Sequence, residues 1–443
     1  MSDNTEKQNL AQVCREARKA ARQLARLSND RRNEILLAIA NAIETRQVEI
    51  LSANERDCQA AMQDVRVGRM SSSFYDRLKI GEHGIEEITA RVREVANLPN
   101  PLGRSLAITK LDDGLMLHKE SCPLGVVCVI FESRPDVVPQ VASLALKSGN
   151  AVLLKGGTEA LHTNRALVGI LHDTLASFPE ISANAVTLFQ TREEVAHILS
   201  LSKEIDLVIP RGSREFVQYV AEHSRIPVLG HGEGICHVYI DAAADFSKAI
   251  DIAIDSKAQY PAACNSAETL LIHETVAEEL LPLLIEQLTE KGVEVRGCER
   301  TMRLALSQSI TPASEADWST EYSDLIISVK IVRDADEAID HINTYGSKHT
   351  ESIVTEDSEV AARFMEEVDA AGVYHNASTR FADGYRYGLG AELGISTGKL
   401  HARGPVGLEG LTTYKYRLMG NGHTVESYNA KQKMRKQQEV SYV

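Results

Sequence analysis

From residue 126 onward, short runs rich in β-branched residues and leucine alternate with amphipathic stretches, and that alternation limits this chain more than any other feature. Strands separated by ten or more helical residues cannot pair through a tight turn. They must lie parallel and be joined by helical crossovers, which gives βαβ units under a doubly wound sheet. The strand candidates are 126–131, 151–154, 185–189, 207–209 and 227–229, with helical patterns between the first four. Thr191 followed by Glu194 supplies a capping box for one of those helices. A second series follows at 238–240, 269–272, 325–332, 352–355 and 373–375, interleaved with helical patterns at 276–288 and 336–342. Pro282 inside the first of these predicts a kink or a later helix start. The fold class read from this pattern is α/β, with two doubly wound units in tandem.

At 443 residues the chain exceeds what a single core usually organises, which agrees with two units. The first hundred residues are rich in Ala, Arg and Glu, with Ile35, Ile39 and Ile43 on one helical face, and predict a helical lead-in. Residues 108–120 alternate polar and apolar around Asp112-Asp113-Gly114, a hairpin signal consistent with an extended arm. From about Gly422 the chain is polar without a sustained apolar face, and a loose tail is expected there.

Charge and cysteine usage exclude several function classes. A net charge of −14 repels phosphate backbones, so no nucleic-acid partner is expected and an anionic ligand must meet a local pocket. The longest strongly apolar run, 126–131, is far shorter than the roughly 20 residues of a membrane span. The polar N-terminus does not read as a secretory signal, and a cytoplasmic protein is expected. Seven cysteines, at 14, 58, 122, 128, 236, 264 and 298, include no Cys-x-x-Cys pair, so reduced thiols are expected, with neither a disulfide framework nor a metal site. Asn376-Ala377-Ser378 matches a glycosylation sequon that has no meaning without export.

Neither a GxGxxG fingerprint nor a P-loop occurs. Two other glycine turns follow strands directly. Lys155-Gly156-Gly157 and Arg211-Gly212-Ser213 place backbone amides at strand ends, the second opening a helix, which suits a phosphate-bearing ligand. On their own they serve equally well as ordinary βα turns. Cys264, in QYPAACNS, lies among small residues on a loop before a strand, where a thiolate is reachable; a buried inert cysteine is the alternative.

Four stretches in order, PLGVVCVIFESRPDVVPQVASLALKSGNAVLLKGG, VIPRGS, QYPAACNSAETLL and GPVGLEGLTTYKY, resemble the gamma-glutamyl phosphate reductases of the aldehyde dehydrogenase superfamily. The resemblance spans nearly the whole chain except the last twenty or so residues. It implies two Rossmann-like subdomains, with residues 1–105 and 126–234 holding the cofactor, 235–405 carrying the nucleophile, and the site in the cleft between them. Residues 106–125 and 406–426 would form an oligomerisation arm of a homodimer or homotetramer, and 427–443 a flexible tail. Carried over by position, Cys264 is the nucleophile, and Lys155, Gly212, Ser213, Gly232 and Glu321 contact the cofactor. For Glu321 a lone surface glutamate is the alternative. Arg134 matches the superfamily's oxyanion asparagine and could hold a phosphate or carboxylate, or form an ion pair at a helix start. Asn265, His375 and Asn376 are further substrate-binding candidates, the last two equally able to satisfy backbone groups.

Two departures refine the expectation. Thr158 stands where aldehyde dehydrogenases usually carry a glutamate that meets the cofactor ribose, which favours NADPH/NADP. The superfamily's deacylating glutamate aligns near Gly230, so the base that would activate hydrolytic water is missing, as an acyl-phosphate reductase requires. The resemblance thus implies NADPH-dependent reduction of L-glutamyl 5-phosphate to L-glutamate 5-semialdehyde and phosphate, through a cysteine thioester, in proline biosynthesis. With no kinase domain preceding it, a stand-alone enzyme coupled to a separate glutamate kinase is expected. A hydrolytic aldehyde dehydrogenase and a catalytically silent binding relative are the alternatives.

Overall fold

A computed structural model describes residues 2–305, 310–430 and 439–440. The chain divides into two compact units, 1–229 with 390–393 and 406–443, and 230–389 with 394–405. The boundary expected after residue 234 therefore falls after 229.

The first unit opens with the helical lead-in: α1 (Ser2–Leu24), α2 (Asn29–Thr45), α3 (Gln47–Arg66), α4 (Ser72–Asp76) and α5 (Glu82–Asn97). In α2 the four-residue spacing of Ile35, Ile39 and Ile43 stacks them on one face, and all three are buried. A hairpin follows, β1 (Ser105–Asp112) and β2 (Leu115–Pro123), closed at Asp113-Gly114, where Gly114 adopts φ 74°. Then come β3 (Val126–Phe131), α6 (Val137–Lys147), β4 (Ala151–Lys155), α7 (Leu161–Ala176), β5 (Val186–Phe189), α8 (Arg192–Ile198), β6 (Leu207–Arg211) and α9 (Arg214–His223). Their four strands form a parallel sheet in the order β5-β4-β3-β6. Every residue of β3 and β4 is buried, as expected for strands covered on both faces. The Thr191–Glu194 capping box forms at α8. The strand expected at 227–229 reduces to one isolated bridge, Val208 to Val228, beside Pro227, which has no N–H to extend a ladder.

The second unit contains β7 (Cys236–Ile240), α10 (Phe246–Ala258), β8 (Ala267–His273), α11 (Glu274–Glu290), β9 (Glu294–Gly297), α12 (Glu299–Leu304), β10 (Thr311–Pro312), β11 (Ile326–Val332), α13 (Ala335–Tyr345), β12 (Thr350–Val354), α14 (Ser358–Glu367) and β13 (Gly372–His375). Its seven strands run parallel in the order β10-β9-β11-β8-β7-β12-β13. Helix α11 starts at Glu274 and continues through Pro282, so the later start expected there does not occur. Strands β9 and β10 escape sequence reading because they are short, and half of β9 and all of β10 face outward. A two-stranded ladder of β14 (Ile395–Ser396) and β15 (Gly404–Pro405) completes this unit.

The chain then returns to the first unit. Strand β16 (Thr412–Met419) pairs antiparallel with β2 from Thr412–Pro123 to Met419–Met116, joining the β1–β2 hairpin in one sheet. Of the tail expected at 427–443, residues 431–438 and 441–443 lie outside the described residues. Elsewhere α15 (Val425–Ala430) is helical, and β17 (Glu439–Val440) pairs with β1. Among the described residues no helix is long and apolar enough to cross a membrane.

Candidate active site

In the first unit the chain steps outward from β3 to β4 to β5, then returns to place β6 on the other side of β3. This reversal makes the carboxyl ends of β3 and β6 the topological switch point, the place where open α/β sheets bind ligands. Phe131 and Arg211 are register partners there. Beyond β6, Ser213 caps α9 by accepting the Phe216 amide. Beyond β3, Glu132 turns back so that its carboxylate accepts the Ser213 amide at 3.4 Å, and a Cβ on Gly212 would lie 2.6 Å from that carboxylate. The helix end thus already attracts an anionic group, as its unpaired amides and dipole dictate.

The other candidates of this unit surround the same strand ends. Lys155 is the last residue of β4 and is buried, its Nζ donating to the Gly156 carbonyl at 2.7 Å. Glu159 accepts the Ser133 amide at 2.6 Å, and Ser133 holds a left-handed φ of 40°. A Cβ on Gly157 would overlap the Glu159 carboxylate. A carboxylate therefore stands beside this turn although Thr158 replaces the expected one. Arg134 forms the helix-start ion pair, to Asp136 at 2.8 Å, immediately before α6.

In the second unit Cys264 lies between α10 and β8, His231 precedes β7, and His349 precedes β12. Strands β8, β7 and β12 are neighbours, so three residues far apart in sequence converge at the amino edge of one parallel sheet. The Cys264 thiol and one nitrogen from each imidazole lie within 4.8 Å of one another. His231 Nδ1 is 2.8 Å from the Ile395 carbonyl. A carbonyl only accepts, so Nδ1 carries the proton and Nε2 keeps its lone pair in the neutral ring. His349 is fully buried, with Nδ1 2.9 Å from Thr350 Oγ1 and Nε2 without a hydrogen-bond partner.

Several groups fix the cysteine loop. A Cβ on Gly234 would fall 1.8 Å from the Cys264 carbonyl oxygen, so only glycine permits this approach. The Cys236 thiol donates to that same carbonyl at 3.4 Å, and its burial pushes its pKa well up, leaving it a structural donor. Asn265 is buried and donates to the Ala382 carbonyl at 2.9 Å, while its Oδ1 has no partner. Thr379 Oγ1 donates to the Asn265 carbonyl at 2.7 Å. Arg380 is buried, its Nε donating to Gln259 Oε1 at 2.8 Å; burial and the neighbouring Arg386 lower its pKa, and the charges of Cys264, Asp255 and Asp383 oppose them. Glu321 belongs to the same cluster and is not a lone surface group. Burial raises its pKa, opposed by the Gly234 amide and His231.

Of the remaining candidates, Gly232 meets nothing within 4 Å where a side chain would start, leaving room for a ligand. His375 and Asn376 are not brought to the cysteine. They lie toward the carboxyl end of the sheet, level with Ile353 and about three residues beyond Thr350, roughly 10 Å along the strands. Both satisfy the Thr355 backbone: His375 Nε2 and Asn376 Nδ2 meet its carbonyl at 2.9 and 3.0 Å, and Asn376 Oδ1 accepts its amide. His231 sits one residue past Gly230, where sequence reading found no base, and one of its ring nitrogens lies within 4.8 Å of the Cys264 sulfur. A glycine-flanked histidine ahead of a strand was the available signal. His349 and Arg380 had none, because only sheet order and chain reversal bring them near.

Comparison with known proteins agrees with this geometry. The aldehyde dehydrogenase family model matches residues 2–298. A gamma-glutamyl phosphate reductase of Natronomonas pharaonis is 53% identical over 93% of this chain and 93% of its own length. One from a Cyanothece species is 52% identical over 95% of each. The crystal structure of gamma-glutamyl phosphate reductase from Thermotoga maritima matches with a TM-score of 0.90 at 41% identity, covering 94% of this chain and 99% of that one.

Proposed function

Because the chain belongs to the aldehyde dehydrogenase family, and within it to the gamma-glutamyl phosphate reductases, we propose that it reduces L-glutamyl 5-phosphate to L-glutamate 5-semialdehyde and phosphate, a step of proline biosynthesis. The observation that carries this reading is the Cys264 thiol on a glycine-pinned loop with imidazole nitrogens beside it. His231 Nε2 takes the thiol proton, and the thiolate attacks the acyl carbon. The carbon–sulfur bond forms, the carbon–oxygen bond to phosphate breaks, and phosphate leaves with the electron pair. Arg380 offsets the negative charge of thiolate and substrate. A nicotinamide cofactor held beside Gly232 and Glu321 would supply the hydride that reduces the thioester. Cleavage of the carbon–sulfur bond in the thiohemiacetal then frees the aldehyde and restores the thiolate.

The switch point of the first unit suits that cofactor. The amides of Gly212 and Ser213 ahead of α9, the second now donating to the Glu132 carboxylate, would take a phosphate, and Lys155 would meet the adenosine ribose region. Gly232 and Glu321 would serve the nicotinamide end. We favour NADPH because Thr158 leaves the ribose without its usual carboxylate and Glu159 is engaged by the Ser133 amide. The exposed Tyr416 and Leu418 on β16 support pairing with a second copy in a homodimer or homotetramer.

His231 also favours a second reading, hydrolytic aldehyde oxidation, since a base at the thiol could activate water. The reverse reaction separates the two: purified protein with glutamate 5-semialdehyde, NADP⁺ and phosphate, following NADPH formation. Turnover that needs phosphate and vanishes in Cys264→Ala is expected. Turnover indifferent to phosphate would replace the reductase reading with the hydrolytic one.

A further inference from the structure

The two imidazoles at Cys264 are arranged as metal ligands. A histidine that binds a transition metal characteristically fixes its ring by donating a hydrogen bond through its second nitrogen. His231 does this with Nδ1 on the Ile395 carbonyl at 2.8 Å, and His349 with Nδ1 on the Thr350 hydroxyl at 2.9 Å. In each ring Nε2 is the nitrogen left over. That of His349 is buried without a hydrogen-bond partner, an unfavourable state for a polar atom unless something meets it. The Cys264 sulfur and one nitrogen of each ring lie within 4.8 Å of one another, a set of three donors.

We propose that His231, Cys264 and His349 form a binding site for a thiophilic divalent cation, zinc being the natural occupant, and that occupation silences the enzyme reversibly. One thiolate and two imidazoles are a borderline-soft donor set that selects zinc over magnesium or calcium. Tetrahedral zinc, with bonds of about 2.3 Å to sulfur and 2.0–2.1 Å to nitrogen, would hold these atoms roughly 3.3–3.6 Å apart. The three side chains therefore need to close by about 1.5 Å at most. A water would take the fourth position. Zinc on the sulfur removes the lone pair that attacks the substrate, and zinc on His231 Nε2 removes the base, so binding and turnover exclude each other. The site escapes sequence inspection because its ligands are separated by 33 and 85 residues and match no ligand spacing.

The test uses the full-length protein and cobalt(II) as a spectroscopic probe, so it does not depend on turnover. One Co²⁺ per chain is expected, with a thiolate-to-cobalt charge-transfer band that Zn²⁺ abolishes by displacement. Cys264→Ser should remove the band, and His231→Gln should weaken binding at least about tenfold, the lower end of what even indirect ligand partners cost. Zn²⁺ should also protect Cys264 from iodoacetamide, and a chelator should restore alkylation. Absence of the band, or binding of the same strength in both variants, would overturn the proposal by placing the metal elsewhere. If His231→Gln melts early, Cys264→Ser decides alone.

Discussion

Gly234 offers the sharpest test of how the cysteine loop is held. In Gly234→Ala the new methyl would start 1.8 Å from the Cys264 carbonyl oxygen, 2.5 Å from its carbonyl carbon and 2.7 Å from its Cα. All three are backbone atoms, so no rotamer change relieves the overlap. Restoring even the 3.0 Å limit on the oxygen requires a shift of about 1.2 Å at the nucleophile itself. Misplacing a reacting group by about 1 Å costs on the order of 100-fold, or about 2.7 kcal/mol of barrier. The expected result is therefore a kcat for phosphate-dependent NADPH formation about 100-fold below the parent, with a matching fall in the iodoacetamide rate at Cys264. Gly169→Ala is the control. It adds the same methyl inside α7, meets nothing within 4 Å, and should leave both rates alone while helping the helix by up to about 1 kcal/mol. A Gly234→Ala protein with kcat within threefold of the parent would refute the argument.

Four further outcomes follow from named contacts. Lys257 and Glu268 form a fully buried pair at 2.6 Å, burial raising Glu268 to about 7, so Glu268→Gln strands an ammonium and should cost about 3–5 kcal/mol in urea unfolding. The double change Lys257→Met with Glu268→Leu should recover most of that loss, and a mild single variant would contradict it. Burial lowers the Lys147 pKa from 10.5 to about 8, and a folded lysine that releases its proton earlier than the unfolded chain makes stability rise with pH. That rise should appear between about pH 8 and 10.5 and disappear in Lys147→Met. Arg380→Met should lower kcat/KM roughly 10- to 100-fold, the worth of one charge-assisted hydrogen bond, with an unchanged melting temperature expected only if the arginine acts on substrate. Gly232→Ala should raise the KM for NADPH and leave unfolding untouched, since the methyl enters open space; an unaltered KM would remove Gly232 from the cofactor site.

The sequence by itself determined the alternation of strands and helices, and with it both parallel sheets, because a hydrophobic run and its crossover are local facts. It also determined the Asp113-Gly114 hairpin, the cap at Thr191, the helix opening at Ser213, and the reachable loop around Cys264, each set by neighbours a few residues away. It did not reveal that Glu159 takes the Ser133 amide, and it left open the roles of Arg134, His375 and Asn376, which the structure settles by pairing Arg134 with Asp136 and turning His375 and Asn376 to Thr355. Nor did it reveal the triad at the thiol. His231, Cys264 and His349 meet only because β7 lies between β8 and β12, a lateral order that no single segment encodes. Strand order is chosen by how whole hydrophobic faces pack, so the chemistry at the sheet's edge was fixed by the tertiary structure.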